Sequence, residues 1–313
     1  MMHERFIEVF PVVLFIGFMG YAARKKNVLT EHSLDGLIKV VRLYLLPCLA
    51  FYTVVWYAPE LNYVGPIFFV PLFAVYAAVL GMLSGSLFLP FIDNPDPQKS
   101  RTFLHLAIVC NFQFLPLPFI SFMYGDAGLA LYFLFVFGML FGASTIGIWI
   151  LKNDIEFKSQ IQLLARPLFI AIAIAYIGGL YIPVRLIPKV ILNTAEMAGK
   201  ASLPIGVFIT GAALAETGTP RNIPAALLLT VVRCICYPAF VIMSLTMLPE
   251  TIIFNDMVFN SALLCLCMPA SIIAPRLYRK INAGDPSFAQ TAIFYTTVAS
   301  IITVPVIYIL FAR

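Results

Sequence analysis

Charged residues are scarce in this sequence. Of its 313 residues, 11% are Asp, Glu, Lys or Arg and 61% are hydrophobic, whereas soluble domains carry about 25% charged and about 45–50% apolar residues. A chain of this composition cannot cover its apolar surface in water. The net charge of +5 comes from basic residues scattered over short loops. The composition therefore excludes a cytosolic enzyme, a receptor ectodomain and a nucleic-acid-binding protein.

Long polar segments are also missing, which leaves no room for a soluble domain. A membrane-spanning helix needs about 20 apolar residues, and apolar runs of that length fill most of the chain. The runs do not alternate apolar with polar residues, which favours helices over a β-barrel. The sequence predicts an all-α integral membrane protein with ten spans, at about residues 6–23, 34–56, 64–90, 103–124, 128–151, 163–182, 191–214, 223–248, 257–280 and 288–311.

Motifs for catalysis and metal binding are absent from the sequence. It contains no Walker loop, no HExxH and no GxSxG, which are signatures of nucleotide, zinc and serine-hydrolase chemistry. The cysteines lie inside apolar runs without a CxxC pair, so we interpret them as buried thiols that behave as small hydrophobic residues. We therefore expect no enzymatic activity, no cofactor and no metal site.

Lysine and arginine are unevenly distributed between the two sides of the predicted spans. Cytoplasmic loops carry the excess of basic residues, so the richer side is predicted to face the cytoplasm, with both termini non-cytoplasmic, in the cell (inner) membrane. The twelve residues of the richer side are Arg24, Lys25, Lys26, Lys99, Arg101, Lys152, Lys158, Arg166, Arg221, Arg276, Arg279 and Lys280, and the four of the other side are Arg5, Arg185, Lys189 and Arg313.

The two halves of the chain share short matches in the same order. Because each half has five predicted spans, the halves must enter the membrane from opposite sides, as in inverted-repeat transporters. We predict a first repeat over residues 1–151, a short cytosolic linker over 152–162 and a second repeat over 163–313. The matches pair Pro11 with Pro167, Leu46-Pro47 with Leu203-Pro204, and Gly125-Asp126 with Gly284-Asp285, at offsets of 156, 157 and 159 residues.

Spans 4 and 9 each carry two prolines. Span 4 contains Pro116 and Pro118, and span 9 contains Pro269 and Pro275. Proline inside a helix removes a hydrogen bond and clashes with the preceding turn, so both spans are predicted to be broken near the bilayer midplane. Unwound backbone is tolerated there only where it is buried in protein or lines a cavity. Breaks at corresponding positions favour a substrate site over the alternative of kinks that serve only packing.

Polar residues lie in or beside these breaks, and Asn111, Gln113 and Ser271 are the candidates. Such side chains can bind a substrate or, alternatively, satisfy backbone groups that the breaks leave free. The half-helices that begin after the breaks are expected to present free N–H groups and positive dipole ends. We therefore expect this site to prefer an anion.

Four charged residues lie deep in the predicted spans, and all are cations: Lys39, Arg42, Lys200 and Arg233. Arg233 is the deepest, and a charge near the bilayer centre costs at least about 2.5–3.5 kcal/mol. No carboxylate lies at comparable depth in the sequence. Arg233 therefore either contacts an anionic substrate or caps carbonyl groups that the breaks set free.

A series of spaced residues runs through spans 2, 4, 7, 8, 9 and 10. Together, and in this order, they make essentially the whole chain resemble the auxin efflux carrier family in its short bacterial form. They are Leu46-Pro47 with Phe51, Asn111 with Pro116-Leu117, Gly199 with Leu203-Pro204, Phe208 and Gly211, Arg233 with Pro238, Met268-Pro269 with Gly284-Asp285, and Thr303 with Pro305.

The resemblance implies a fold of two inverted five-helix repeats. Spans 1, 2, 6 and 7 would form a scaffold that makes a homodimer, and spans 3–5 and 8–10 a transport domain in which broken spans 4 and 9 cross. It also implies carboxylate substrates carried by an elevator-like motion. With this resemblance the candidate substrate-binding residues become Asn111, Gln113, Phe114, Pro116, Met268, Pro269, Ser271 and Arg233, with Pro118 and Pro275 at the crossover.

We conclude from the sequence that the protein is a secondary carrier of a small organic anion, embedded in the lipid bilayer. Gln113 and Phe114 stand where family members often have Gly or a second Asn, so auxin-like selectivity does not follow. Two alternatives stay open at this point. One is a sodium-coupled carrier like the bile-acid symporters, which share the architecture, and the other is a membrane sensor that transports nothing.

Overall fold

The computed structural model describes residues 2–61, 69–92, 96–152, 165–216, 220–247 and 256–312, and these residues are helical almost throughout. Apart from Lys152, the predicted linker lies outside the described residues, as does Arg313. The described helices are α1 (Met2–Lys25), α2 (Glu31–Val40), α3 (Leu46–Leu61), α4 (Phe69–Phe88), α5 (Pro97–Ile108), α6 (Pro116–Lys152), α7 (Pro167–Tyr181), α8 (Lys189–Leu214), α9 (Ile223–Val231), α10 (Tyr237–Met247), α11 (Asp256–Leu266), α12 (Ala274–Ile281) and α13 (Pro286–Phe311).

Seven helical stretches among the described residues are long and apolar enough to cross a membrane, which confirms a multi-pass membrane protein. The predicted spans 4 and 9 are both divided. The first half of span 4 is α5 and its second half is joined to span 5 in α6, which is kinked at Gly125 (φ 64°, ψ −154°), while span 9 is split between α11 and α12. Span 6 contributes a helix of only 15 residues. The ten-span inverted repeat stays a prediction. The seven are His3–Lys25, Glu31–Glu60, Val70–Phe91, Pro116–Lys152, Lys189–Leu214, Ile223–Met247 and Pro286–Phe311.

Two of the deep arginines lie in single π-helical turns. Arg42 belongs to the turn Val41–Leu45 that joins α2 to α3, and Arg233 to the turn Val232–Cys236 that joins α9 to α10. A proline follows each arginine by five residues, at Pro47 and Pro238. Proline has no N–H with which to bond a carbonyl group of the preceding turn, and the wider π-helical turn accommodates the missing hydrogen bond. The same local sequence pattern therefore sets both arginines in a widened turn of a membrane helix.

Helix α3 packs most closely against α7 and also against α8, while α1 packs against α8. The close contact with α7 depends on Gly179, where a Cβ atom would lie 2.8 Å from the carbonyl oxygen of Val55 and 2.7 Å from the Cβ of Ala58. A second set of contacts joins α4 to α5 and α6, and α9 to α13. Small residues at such interfaces let membrane helices approach closely.

Gly179→Ala should lower the melting temperature of the purified protein, because the added methyl group forces α7 away from the backbone of α3. Overpacking of this kind costs about 1–3 kcal/mol. The neighbouring Gly178→Ala is a matched control, since a Cβ there would meet no described atom within 4 Å. Thermal unfolding of both variants in detergent checks this, and equal melting temperatures would contradict it.

Candidate functional site

The two predicted breaks are present, and each separates a pair of half-helices. Helix α5 ends at Ile108 and α6 begins at Pro116, while α11 ends at Leu266 and α12 begins at Ala274. Pro116 is the first residue of α6 and Pro275 the second residue of α12. Proline is favoured there because the first helical N–H groups have no partner within the helix. The prolines thus mark where each helix restarts.

The segments between the half-helices cross and pair with each other in the antiparallel sense. Cys110 lies opposite Ala270. The N–H of Asn111 donates to the carbonyl of Pro269 at 2.8 Å, and the N–H of Ser271 donates to the carbonyl of Val109 at 3.1 Å. The substrate-site candidates Asn111, Pro269 and Ser271 therefore meet at one place, which we call the crossover (residues 109–115 and 267–273).

Crossing releases two helix carbonyls from their usual partners. In an unbroken helix the N–H of residue i bonds the carbonyl of residue i−4, so Asn111 would bond Ala107 and Ala270 would bond Leu266. Asn111 instead bonds Pro269, and the N–H of Ala270 donates to Thr296 Oγ1 at 3.3 Å. The carbonyls of Ala107 and Leu266 must therefore find other donors.

Arg233 supplies those donors. Its Nη1 donates to the carbonyl of Ala107 at 2.9 Å, its Nη2 to that of Leu266 at 3.0 Å and its Nε to that of Met268 at 3.1 Å. The side chain is fully buried, and the guanidinium carbon lies 4.4 Å from the ring centre of Tyr237. This is the carbonyl-capping geometry that the sequence left open as the alternative to a substrate contact.

Three hydroxyl residues that no sequence motif indicates also hold the crossover. Besides Thr296, the hydroxyl of Tyr132 donates to the carbonyl of Phe112, and Asn111 Nδ2 donates to Thr210 Oγ1 at 3.2 Å. Thr210 lies on α8 and Tyr132 on α6. In the sequence, these residues stand out only as hydroxyl side chains inside apolar spans. Many other threonines and tyrosines of the chain share that property, so it does not identify them.

A cavity of about 510 Å³ reaches the crossover and is lined there by Asn111, Gln113 and Ser271. These side chains are 2%, 7% and 7% exposed, respectively. Among the described residues, no hydrogen bond is made by the side chains of Gln113 or Ser271, so both are free to bind a ligand. The structure thus brings the three polar candidates to one cavity wall.

Lysine and arginine side chains also line this cavity, among apolar residues, and we call it the basic cavity. Of the described residues that line it, Asp35 is the one acidic residue, and that carboxylate is paired with Arg276. Within the described part of the chain, no carboxylate forms an ion pair with any of the other four cations, so the cavity carries an excess of positive charge. These four cations are Lys39, Arg42, Arg166 and Lys280.

Sequence comparison identifies the family. A family model described as "Membrane transport protein", the domain of the auxin efflux carrier family, matches residues 6–155 and 150–308. The chain belongs to the auxin efflux carrier family. This confirms the resemblance found from the spaced motifs, and it makes the protein a membrane transporter. The family is one of transporters and not of enzymes. A search of curated proteins finds no match to the chain.

The remaining predicted residues of the transporter lie around the crossover but not on the basic cavity. Phe114 is buried against Gly206 of α8, where a Cβ atom would lie 2.9 Å from its ring. Met268 lines a second, largely apolar cavity of about 380 Å³. Pro118 lies in the first turn of α6 and Pro275 in that of α12, so these prolines flank the crossed segments.

Fewer free N–H groups are present at the half-helix starts than the sequence predicts. Pro116, Pro118 and Pro275 carry no N–H, and the N–H of Ala274 bonds the carbonyl of Ser271 at 3.1 Å. The hydrogen-bond donors that face the basic cavity are therefore chiefly side chains rather than backbone N–H groups.

Thr296→Val should destabilise the transporter, because it leaves the buried N–H of Ala270 without its acceptor. An unsatisfied buried donor costs about 1–3 kcal/mol. Thr297→Val is the matched control: the Thr297 hydroxyl is buried and bonds none of the described residues, so its loss should be neutral or stabilising. Melting temperatures of both variants decide, and a Thr297→Val protein as unstable as Thr296→Val would contradict the assignment.

Proposed function

We propose that this transporter carries a small organic anion whose carboxylate group binds at the crossover. One observation carries the proposal: the cavity that reaches the crossover is lined by Lys39, Arg42, Arg166 and Lys280, none of them paired with a carboxylate in the described residues. A cavity of one charge sign concentrates ligands of the opposite sign. A substrate carboxylate would supply the counter-charge that the protein itself lacks there.

The proposed contacts follow from the free side chains at the cavity wall. Gln113 Nε2 and Ser271 Oγ would donate to the carboxylate, as would the second N–H of the Asn111 amide that is not bonded to Thr210. Phe114, Pro116, Met268 and Pro269 do not line this cavity, and they would instead support the crossed segments that carry these donors. Hydrogen bonds to a charged acceptor are roughly twice as strong as those between neutral groups.

We further propose that α1, α2, α3, α7 and α8 form a scaffold, against which the other helices move as a transport domain. Ion pairs would have to break during that motion. Arg276 Nη2 of α12 lies 2.9 Å from Glu216 Oε2, which follows α8, and Arg279 Nη1 of α12 lies 2.9 Å from Glu31 Oε1 of α2. Elsewhere, Lys200 Nζ of α8 lies 3.4 Å from Asp126 Oδ2 of α6, and 2.7 Å from Oε1 of Glu196 on its own helix, so it would stay paired after the first contact breaks.

We also propose an orientation in the membrane and an oligomeric state for this transporter. The uneven distribution of basic residues supports both termini outside the cytoplasm of an inner-membrane protein. Lys39 and Lys280 of the basic cavity then lie toward the cytoplasmic face, and the structure would represent an inward-facing conformation. We propose a homodimer formed through the scaffold.

Gln113→Glu should abolish most anion transport while leaving the fold intact. The substitution keeps the side-chain shape and adds a negative charge to the cavity wall, where no described group depends on the amide. We expect at least about a tenfold loss of affinity, which corresponds to about 1.4 kcal/mol. Uptake of a panel of labelled carboxylates into proteoliposomes measures the effect. Gln98→Glu, on the exposed start of α5, is the matched control.

The same panel should include the amide of each carboxylic acid, because a neutral amide cannot use the cationic cavity. Acids should be carried and amides should not. Uptake of amides at the rate of their acids, or a Gln113→Glu protein that carries a true substrate normally, would contradict an anion site at the crossover. In the second case, Gln113 would have no role in substrate binding.

A further inference from the structure

The crossover gathers the kind of ligands that monovalent cations use. The carbonyl oxygens of Ala107, Leu266 and Met268 come from two different segments and surround one buried side-chain group. Ala107 and Leu266 are near the C-terminal ends of α5 and α11, where the helix dipole leaves partial negative charge. In many carriers, unwound carbonyls and half-helix C-terminal ends coordinate a coupling cation such as sodium.

In this protein the guanidinium of Arg233 lies among those oxygens. Each oxygen is 2.9–3.1 Å from a different nitrogen of the guanidinium, and the side chain is fully buried. Arginine stays protonated in proteins, and its planar fork can donate to several acceptors at once. A free cation placed among the same oxygens would meet a fixed positive charge at contact distance, so the two cannot be bound together.

The two half-helices that provide these carbonyls offer almost no acidic group, in the residues that the structure describes, to offset a second cation. Helix α5 contains no Asp or Glu, and α11 has one, Asp256, at its first residue. Asp256 is ten residues from Leu266 in the sequence, or about 15 Å along the helix. In the described part of the chain, Arg233 makes no ion pair with a carboxylate; the carbonyl oxygens and the Tyr237 ring are its partners.

We propose that Arg233 is a tethered cation that fills, through its guanidinium, the carbonyl site at the crossover, so that this transporter neither binds sodium there nor requires it. Arg233 is then a positioning residue: it holds the two crossed segments together in every conformation, as a bound ion would, but without dissociating. This inference goes beyond the proposed anion transport, and it holds whatever the substrate is.

Thermal unfolding of the full chain in detergent tests the proposal without a substrate. The wild-type melting temperature should be the same in sodium, potassium and choline chloride at equal ionic strength. Arg233→Ala should melt lower by about 5 °C or more, and millimolar guanidinium should restore part of the loss, because the free ion can enter the vacated site. Sodium should also stabilise this variant more than choline does.

Arg221→Ala is the matched control, since Arg221 is exposed and lies before α9; it should respond to neither guanidinium nor sodium. A wild-type protein stabilised by sodium but not by choline would overturn the proposal. So would an Arg233→Ala protein that melts like the wild type, or one that neither ion stabilises.

If Arg233→Ala does not fold, Arg233→Lys provides the second variant, because lysine keeps the positive charge but lacks the planar guanidinium group that donates to several acceptors. It should fold with a lower melting temperature and gain nothing from sodium. Wild-type uptake in proteoliposomes with sodium replaced by choline gives an independent measurement. Uptake that needs sodium would refute the tethered cation while leaving the anion site intact, whereas transport of amides would refute only the anion site.

Discussion

The structure depends on one constraint: a helix broken inside a membrane must find partners within the protein for every backbone group that the break sets free. Lipid offers no hydrogen bonds, and an unsatisfied group costs several kcal/mol. Here the crossed segments satisfy two N–H groups through each other, and Thr296 satisfies a third. Arg233 takes the carbonyls that remain. Because these backbone groups are hydrogen-bonded within the protein, the crossover can border a cavity without leaving them unpaired.

This arrangement separates two kinds of positive charge. Arg233 is buried behind the crossover and is bonded to carbonyl groups, so it supports the backbone. Arg42 and Arg166 line the cavity in front of it, where no described carboxylate neutralises them. Arg233 thus replaces missing backbone partners, whereas Arg42 and Arg166 are available to an anion that enters the cavity from solution.

The sequence predicted the local features of the site but not its long-range contacts. Paired prolines located both breaks, because proline disrupts a helix by its own chemistry. The partners of those breaks lie more than 100 residues away in some cases, as for Arg233 with Ala107, and no local pattern distinguishes Thr296 from other threonines in apolar spans. Lys39 and Arg42 were selected from the sequence as deep cations, but nothing local placed them in one cavity with Arg166 and Lys280, since α2, the π-helical turn after it, the residue before α7 and α12 each contribute only one or two of its cations.

The crossed segments themselves can be measured through a disulfide. Residues opposite each other in a non-hydrogen-bonded antiparallel pair have Cα atoms about 4.5 Å apart, and a disulfide can span that separation. Cys110 and Ala270 form such a pair.

The test uses the variant Ala270→Cys in a chain whose other five native cysteines are replaced by alanine and which carries a protease site between residues 152 and 165. This variant should form a disulfide on mild oxidation. After cleavage the two halves should migrate together on a denaturing gel and separate on reduction, and a further Cys110→Ala change should abolish the link. Halves that separate without reductant, from a folded protein, would contradict the crossover.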